Sequence, residues 1–341
     1  MKRYLLLIIC VFGFSSLFFA KASKEPPEWV LNWQKVYPDS QYIAQKGTGK
    51  KSDDAKNEAT ANLSQYFETS VNATRETNYR SLESNTNGIY KNQITQEIKR
   101  ETKVESSTVL TAVEYTEPWY NKKDKTWHCV AYIERKTIWN KYEPTLRVAK
   151  DSFMSFYNKA SELTESFEKI KALTQAIPAG FKFLDAVSYA QFLSESLTNS
   201  YCSEELSIYS NLDSEIQNEK NKCPLFISVK GDSGNVIYSA LVNNFSKAGF
   251  TVVSDAKTAV CRVDASCIIS KEKNDDLIIF SPSILLDIKD YNKSVFSYSK
   301  DCKSIKAYTE SVGNKKSIES ISKIIEENFL DEFNSTLSGN K

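Results

Sequence analysis

The sequence is poor in the residues and motifs on which most enzyme sites depend. It contains one histidine, His128, among 341 residues, so a Ser-His or Cys-His catalytic pair would have to use that side chain. No Gly-x-Ser-x-Gly turn, no Cys-x-x-Cys pair and no calcium-loop spacing of acids occurs. The adjacent Asp275 and Asp276 are typical of a solvated turn. We therefore predict no catalytic residue, metal ligand or cofactor, and a protein that is not an enzyme.

An excess of charge of one sign is also absent. The chain has 44 Lys and Arg against 43 Asp and Glu, a net charge of +1. Loss of residues 1–22 would leave 41 basic and 43 acidic residues, a net charge of −2. Because binding to nucleic acid requires a concentrated basic surface, we expect no nucleic-acid partner.

Long apolar runs are limited to one, from Leu5 to Phe19, which follows Lys2 and Arg3. Small residues flank Lys21, as a signal peptidase requires, so we predict a signal peptide over 1–22, cleavage after Ala22, and export. The alternative is an uncleaved anchor, but the run is shorter than the roughly 20 residues of a spanning helix. The run's cysteine lacks a preceding small-residue cleavage box, which argues against a lipid anchor. The mature chain is expected to have no transmembrane span.

Six cysteines remain after the predicted cleavage, and six allow fifteen pairings. They are Cys129, Cys202, Cys223, Cys261, Cys267 and Cys302. Cys261 and Cys267 lie on one predicted strand about 20 Å apart, too far for a disulfide. Cys202 and Cys223 flank a predicted helix and would pair only if that segment bends back. Cys267 and Cys302 would pair if their strands come close together.

The segment from Tyr42 to Phe67 predicts a short strand, a glycine turn and a helix that begins near Ser52. We assign Gly47 and Gly49 as structural turn residues, because glycine adopts positive φ without a steric penalty. Apolar residues at every fourth position place one face of the helix on a sheet. These are Ala55, Ala59, Leu63 and Phe67.

The lysines after this turn suggest a phosphate-binding loop as an alternative. That motif requires a glycine five residues before its Gly-Lys pair and Ser or Thr directly after the lysine. Ala44 and Lys51 occupy these two places. We therefore interpret the segment as a helix-entry turn.

The segments on either side complete an N-terminal domain over residues 23–144. The prolines within 24–38 predict an irregular arm rather than a helix. Isoleucines at 89, 94 and 98 predict a second helix. The runs 108–115 and 127–133, which surround a polar turn at 121–125, predict an antiparallel hairpin.

Together these residues resemble the LPP-twenty family of bacterial envelope proteins, over positions 24 to 142. The resemblance rests on Pro27-Glu28-Trp29-Val30, the Tyr42-Ile43 strand, Gly47-Thr48-Gly49, the Ala55/Ala59/Leu63 helix, and a hairpin with Trp119-Tyr120 and Trp127 to Glu134. Members are typically exported and associated with the outer membrane or the surface, often as lipoproteins, and some relatives of the domain occur in flagellar outer-ring components. The sequence lacks the lipoprotein cysteine, so the resemblance does not extend to a lipid anchor.

The remainder predicts a helical connector at 145–223 and a C-terminal α/β domain at 224–341. The connector is expected to be an antiparallel helical pair broken at Pro178-Ala179-Gly180. The C-terminal element order of strand, helix, four strands and helix predicts helices on a mixed, mainly antiparallel sheet. In element order it resembles accessory domains of envelope-assembly proteins, such as the curli secretion component or lipoprotein activators of wall synthesis. The fold class is therefore α+β.

We expect an exported envelope protein, periplasmic or associated with the outer membrane, that acts by protein contact in assembly or scaffolding, with flagellar assembly as one such role. Its partners would be other envelope proteins or copies of itself. Trp29, Trp33, Trp119 and Tyr120 are candidate interface residues, because aromatic side chains are favoured interface anchors. The alternatives are a hydrolase of cell-wall polymer that uses acidic residues, and a carrier of small ligands or lipids.

Overall fold

The computed structural model describes residues 25–83 and 112–339. The predicted signal peptide and the predicted helix with isoleucines at 89, 94 and 98 lie outside the described residues. Among the described helices, none has both the length and the apolar character needed to cross a membrane. The α+β class is confirmed.

The N-terminal part is a long helix packed on a small antiparallel sheet. Its elements are α1 (Glu28–Val36), β1 (Tyr42–Gly49), α2 (Ser52–Glu83), β2 (Glu114–Tyr115), β3 (Trp119–Asn121) and β4 (Thr126–Glu134). β4 is central: it pairs with β1 on one side and with β2 and β3 on the other. The predicted hairpin is confirmed in part. β4 contains the run 127–133, but the strand just before the polar turn is β3, and within the described residues the run 108–115 contributes only β2, which also pairs with β4. The apolar face of α2 is buried against this sheet, as the four-residue spacing predicts.

The prediction of an irregular N-terminal arm is wrong, because α1 is helical. Pro27 is the residue before the helix and Pro38 follows its end. Proline is tolerated at a helix start, where the first N–H groups have no helical partner. Asn32, with φ −151° and ψ 80°, interrupts the helix, so α1 is kinked.

The predicted turn at Gly47 and Gly49 is also corrected, because both residues lie inside β1. Neither has a positive φ. What requires glycine is the closeness of α2. A Cβ at Gly47 would lie 2.1 Å from the backbone N of Ala59, and one at Gly49 would lie 2.6 Å from the backbone N of Ala55. The two glycines let the helix backbone lie directly against the strand.

Three long helices form the middle of the chain. They are α3 (Arg135–Ser161), α4 (Ser166–Leu193) and α5 (Glu195–Asn221). The predicted break at 178–180 is wrong, since α4 is continuous through Pro178. Tertiary packing overrides the missing N–H, because residues all around this helix are buried. Gly180 has a packing role instead: a Cβ there would lie 2.3 Å from the ring of Tyr209 on α5.

The C-terminal part is a six-stranded mixed sheet with helices on one face. Its elements are β5 (Leu225–Lys230), α6 (Val236–Lys247), β6 (Val252–Val253), β7 (Cys261–Asn274), β8 (Leu277–Asp290), β9 (Lys293–Asp301), β10 (Ile305–Ala307), α7 (Glu310–Ile324), a π-helical turn (Ile325–Phe329) and α8 (Leu330–Ser338). β5 is parallel to β6 and β7, while the other pairings are antiparallel. The predicted strands, the mixed sheet and the helix end before Gly249, which has φ +84°, are confirmed. The short β10 was not predicted.

The apolar side chains form two cores, and α4 contributes to both. The first core joins the N-terminal sheet and α2 to the middle helices, so it spans the predicted boundary at residue 144. The second lies between the C-terminal sheet and its helices and includes Phe167 and Ile170 of α4.

Candidate functional site: the open face of the C-terminal sheet

The two disulfide pairings considered from the sequence are not formed. Cys202 lies within α5 and Cys223 lies beyond the end of that unbent helix, about 30 Å away at 1.5 Å per residue. Cys267 on β7 and Cys302 after β9 are separated by β8, and strands two apart in a sheet lie about 9.6 Å from each other. No disulfide bond joins any two of the described cysteines in this structure. Instead, Cys223 lies beside Cys261, with the two sulfur atoms 3.1 Å apart.

The four candidate interface aromatics are mostly packed. Trp29, Trp33 and Trp119 are half-buried. The ring of Trp119 lies 5.9 Å from that of His128, at the hairpin of β3 and β4. Tyr120 is the most exposed of the four, at 38%. These positions do not form one exposed aromatic patch.

His128 is buried in the N-terminal sheet. Its Nε2 lies 3.2 Å from the hydroxyl of Thr126 and 3.7 Å from the carboxylate of Asp124. Burial, followed by the nearby Lys46, lowers the pKa of His128. Within residues 25–83 and 112–339, no group of three or more His, Cys, Asp or Glu side chains is arranged to hold a metal ion.

One face of the C-terminal sheet carries no helix in the described part of the chain. Side chains alternate along β7, β8 and β9, and every second one, such as Val263, Ile284 and Phe296, is buried under α6 to α8. The residues between them point away from the helices and are partly exposed. We define the open face as this outward surface. It comprises Arg262, Asp264, Ser266, Ile268, Ser283, Leu285, Asp287, Lys289, Ser297 and Ser299.

Two aspartates at one end of the open face share a single ammonium group. Asp264 on β7 is directly opposite Asp287 on β8. The Nζ of Lys289 lies 3.3 Å from Asp264 and 3.7 Å from Asp287. Arg262 donates to Asp264 at 3.1 Å, and Ser297 donates to Asp287 at 3.0 Å. The facing carboxylates would repel each other, and these cations and hydroxyls offset that repulsion.

Two large apolar side chains are exposed at the centre of the open face. Ile268 is 43% exposed and Leu285 is 44% exposed. Ile268 is opposite Ser283 and Leu285 is opposite Ser266, so the two are diagonal neighbours on one face. At about 7–8 Å, such a pair presents one continuous apolar spot.

A groove of about 430 Å³ runs beside this spot and is open to solvent. It is lined by Asp264, Ser266, Leu285, Leu286, Asp287, Ser297, Tyr298 and Ser299. Hydroxyl and carboxylate groups lie beside an exposed leucine. The surface can thus bury an apolar side chain and hydrogen-bond the groups around it.

The sequence analysis missed this face, although a signal for it was present. Polar residues alternate along β7 and β8, which is the pattern of a sheet with one solvated face. Leu285 interrupts that pattern, because it is a large apolar residue at one of the alternate positions of β8 whose side chains face solvent. An exposed apolar residue is informative when a second one lies beside it, as Ile268 does here, because contiguous apolar surface is a feature of contact sites.

Comparison with known proteins gives little beyond this geometry. No family model and no curated protein matches the chain. The chain is similar to the crystal structure of the secreted protein HP1454 from Helicobacter pylori, with a TM-score of 0.31, 11% identity, and coverage of 84% of this chain and 98% of that chain. A minor lipoprotein from Acinetobacter baumannii has a TM-score of 0.23 and 9% identity, over 34% of this chain and 91% of that chain. A putative neuraminyllactose-binding hemagglutinin homolog from Helicobacter pylori has a TM-score of 0.23 and 15% identity, over 36% of this chain and 92% of that chain.

A secreted protein and a lipoprotein are of the same broad kind as the exported envelope protein that the sequence predicts. At these TM-scores the similarity supports no argument about the fold, the site or the partners of this chain.

Proposed function

We propose that this chain is an exported envelope protein that acts by protein contact, and that the open face is its contact surface. Support comes from the exposed pair Ile268 and Leu285, which lies beside the charged and hydrogen-bonding side chains at one end of the open face. An apolar centre with a polar rim is the usual composition of a protein interface. The partner is another envelope protein or a second copy of the chain, and the role is assembly or scaffolding.

The N-terminal part supports the same assignment through its order of elements. A strand with Gly47 and Gly49, a helix with alanines against that strand, and a following hairpin are the features in which the sequence resembles the LPP-twenty family. We propose that residues 24–142 are an LPP-twenty-like domain. A flagellar role is one form of this proposal.

The acidic residues of the open face favour contact over hydrolysis. A glycosidase needs one carboxyl group that keeps its proton in an apolar surrounding and a second that is ionised. Neither Asp264 nor Asp287 lies in an apolar surrounding, since both lie within 4 Å of the ammonium of Lys289, and Asp264 also accepts from Arg262 and Asp287 from Ser297. Nothing in this geometry sets one of them apart as the acid.

Site-specific photo-crosslinking in intact cells tests the proposal. A photoreactive amino acid at Leu285 is expected to give a discrete adduct with one envelope protein or with the chain itself. The same residue at Val312 on α7, which is 47% exposed, is the matched control and should give none. Leu285→Glu is expected to abolish co-purification of the partner with an unchanged Tm, because the side chain is exposed.

Two outcomes would contradict the proposal. One is the absence of an adduct at Leu285, or equal adducts at Leu285 and Val312. The other is peptidoglycan hydrolysis by the purified chain that is lost in Asp264→Asn or Asp287→Asn, which would establish the hydrolase instead. Mass spectrometry of the adduct identifies the partner and decides whether it is flagellar.

A further inference from the structure

Two buried cysteines at the start of the C-terminal domain lie within reach of each other. Cys223 follows the end of α5, and Cys261 is the first residue of β7. Their sulfur atoms are 3.1 Å apart, about 1 Å more than the roughly 2.05 Å of a disulfide bond. Both side chains are fully buried.

The backbone beside the two sulfurs is already fixed in place. The carbonyl oxygen of Pro224 accepts hydrogen bonds from the N–H groups of Val260, at 2.9 Å, and Cys261, at 3.2 Å. Leu225 then pairs with Cys261 as β5 and β7 run parallel. An approach of about 1 Å would bring the two sulfurs to bonding distance.

We propose that Cys223 and Cys261 form a structural disulfide in the exported protein. The inference rests on the exported address, because disulfides persist in oxidising compartments and are rare in the cytosol. The oxidant is a disulfide of that compartment, on a protein or a small thiol compound. One cysteine thiolate attacks the oxidant sulfur and releases one thiol, and the second thiolate then displaces the other. Two cysteine thiols and one oxidant disulfide become one protein disulfide and two oxidant thiols.

Burial determines when this reaction takes place. The hydrogen bond with Cys223, followed by burial, raises the pKa of the Cys261 thiol in the folded chain. Exchange requires a thiolate and access to the oxidant. The bond therefore forms before folding is complete and is afterwards protected from reductants. It serves stability rather than a catalytic redox cycle.

Its position gives the bond a defined mechanical effect. It closes the loop from Cys223 to Cys261, 38 positions apart in sequence, which contains β5, α6 and β6. Cys223 also marks the junction between α5 and the C-terminal sheet. The disulfide ties the end of the helical connector to β7, which is a strand of the open face.

Peptide mapping under non-reducing conditions tests the proposal directly. Each of the six described cysteines lies on a different tryptic peptide, with Cys223 on 223–230 and Cys261 on 258–262. In full-length protein isolated from the cell envelope, with thiols blocked at lysis, these two peptides should be linked and the other four cysteines alkylated. Free thiols at both positions, or a link to another cysteine, would overturn the proposal.

A second experiment tests the disulfide independently of whether the protein is exported. Purified chain is unfolded, reduced and refolded in a buffer of oxidised and reduced glutathione, so the result does not depend on where the native protein resides. We expect the same single link, and a Tm that falls by roughly 3–6 °C when reductant is added before refolding. Cys223→Ser should remove the reductant sensitivity, whereas Cys202→Ser, an equally buried thiol, should keep it. A wild-type Tm that does not respond to reductant would refute a stabilising bond even if Cys223→Ser does not fold.

Discussion

Substitution of Gly47 by alanine tests the assignment of this glycine to helix–strand contact. A Cβ at this position would lie 2.1 Å from the backbone N of Ala59 and 2.4 Å from the backbone O of Ala55. The first distance is about 1.3 Å shorter than the 3.4 Å of ordinary van der Waals contact. Both nearest atoms belong to the main chain of α2, so no side-chain rotation can relieve the overlap. The helix must retreat from β1.

The loss in free energy of unfolding when α2 moves away from β1 can be estimated from the side chains that the interface buries. Ala55, Ala59 and Leu63 are at most 1% exposed against the sheet. A gap of 0.5–1 Å loses a quarter to a half of the dispersion energy of each such contact, and overpacking costs about 1–3 kcal/mol. Alanine also restricts the unfolded chain, which favours folding by about 0.4–1 kcal/mol. We expect a net loss of about 2–2.6 kcal/mol, because the upper end of the overpacking range is reduced by the effect on the unfolded chain.

Urea unfolding of the full chain, followed by circular dichroism, measures this loss as a lower midpoint at unchanged slope. Gly49→Ala, with a nearest distance of 2.6 Å, should cost less than Gly47→Ala. The double variant Gly47→Ala with Ala59→Gly should not recover stability, because the overlap is with backbone atoms. A Gly47→Ala protein as stable as the wild type, or a recovery in the double variant, would refute the close-contact assignment.

Two further predictions concern buried charge. Asp185→Ala removes the carboxylate that contacts Arg75, both 4% exposed, and should cost about 3–5 kcal/mol in the same urea assay. Glu28→Ala, which breaks an exposed ion pair with Lys35, should leave the urea midpoint nearly unchanged and serves as its control. Burial lowers the pKa of His128 below its usual 6.5 in the folded chain, so folding favours the neutral imidazole. The resulting contribution to stability is complete above pH 6.5. It is lost as the pH falls through the pKa of the folded state. His128→Gln should therefore flatten the fall in Tm between pH 6.5 and 4.5, and an unchanged pH profile would contradict this role.

The sequence predicted the elements well wherever one periodicity dominated. The four-residue spacing from Ala55 to Phe67 gave a buried helix face, and alternation around Asp275 gave the hairpin of β7 and β8. Gly47 was misplaced because a glycine needed for positive φ and one needed for close contact look the same in a sequence. Pro178 predicts a helix end because local propensity favours a break, whereas the packing that keeps α4 continuous comes from distant segments.

The candidate site was less predictable than the fold. The open face depends on which strands are neighbours, and Asp264 meets Asp287 only because β7 and β8 pair in one register. The proximity of Cys223 and Cys261 likewise arises from a parallel crossover that joins β5 to β7. The spacing of residues in a sequence shows which side chains share one face of a single helix or strand. It does not give the order in which separate strands come together.

The middle helices do more than connect two domains, because α4 is part of both cores. At its start, Phe167 belongs to the C-terminal core, and its N–H donates to the buried carboxylate of Asp290 at 3.1 Å. A carboxylate there also complements the positive end of the helix dipole. Further along the same helix, Asp185 accepts from Arg75 of α2 at 2.9 Å. Since α4 is unbroken between these two attachments, movement of the C-terminal sheet must displace a helix that is bound to the N-terminal domain. The C-terminal sheet, and with it the open face, is therefore attached through α4 to the N-terminal domain.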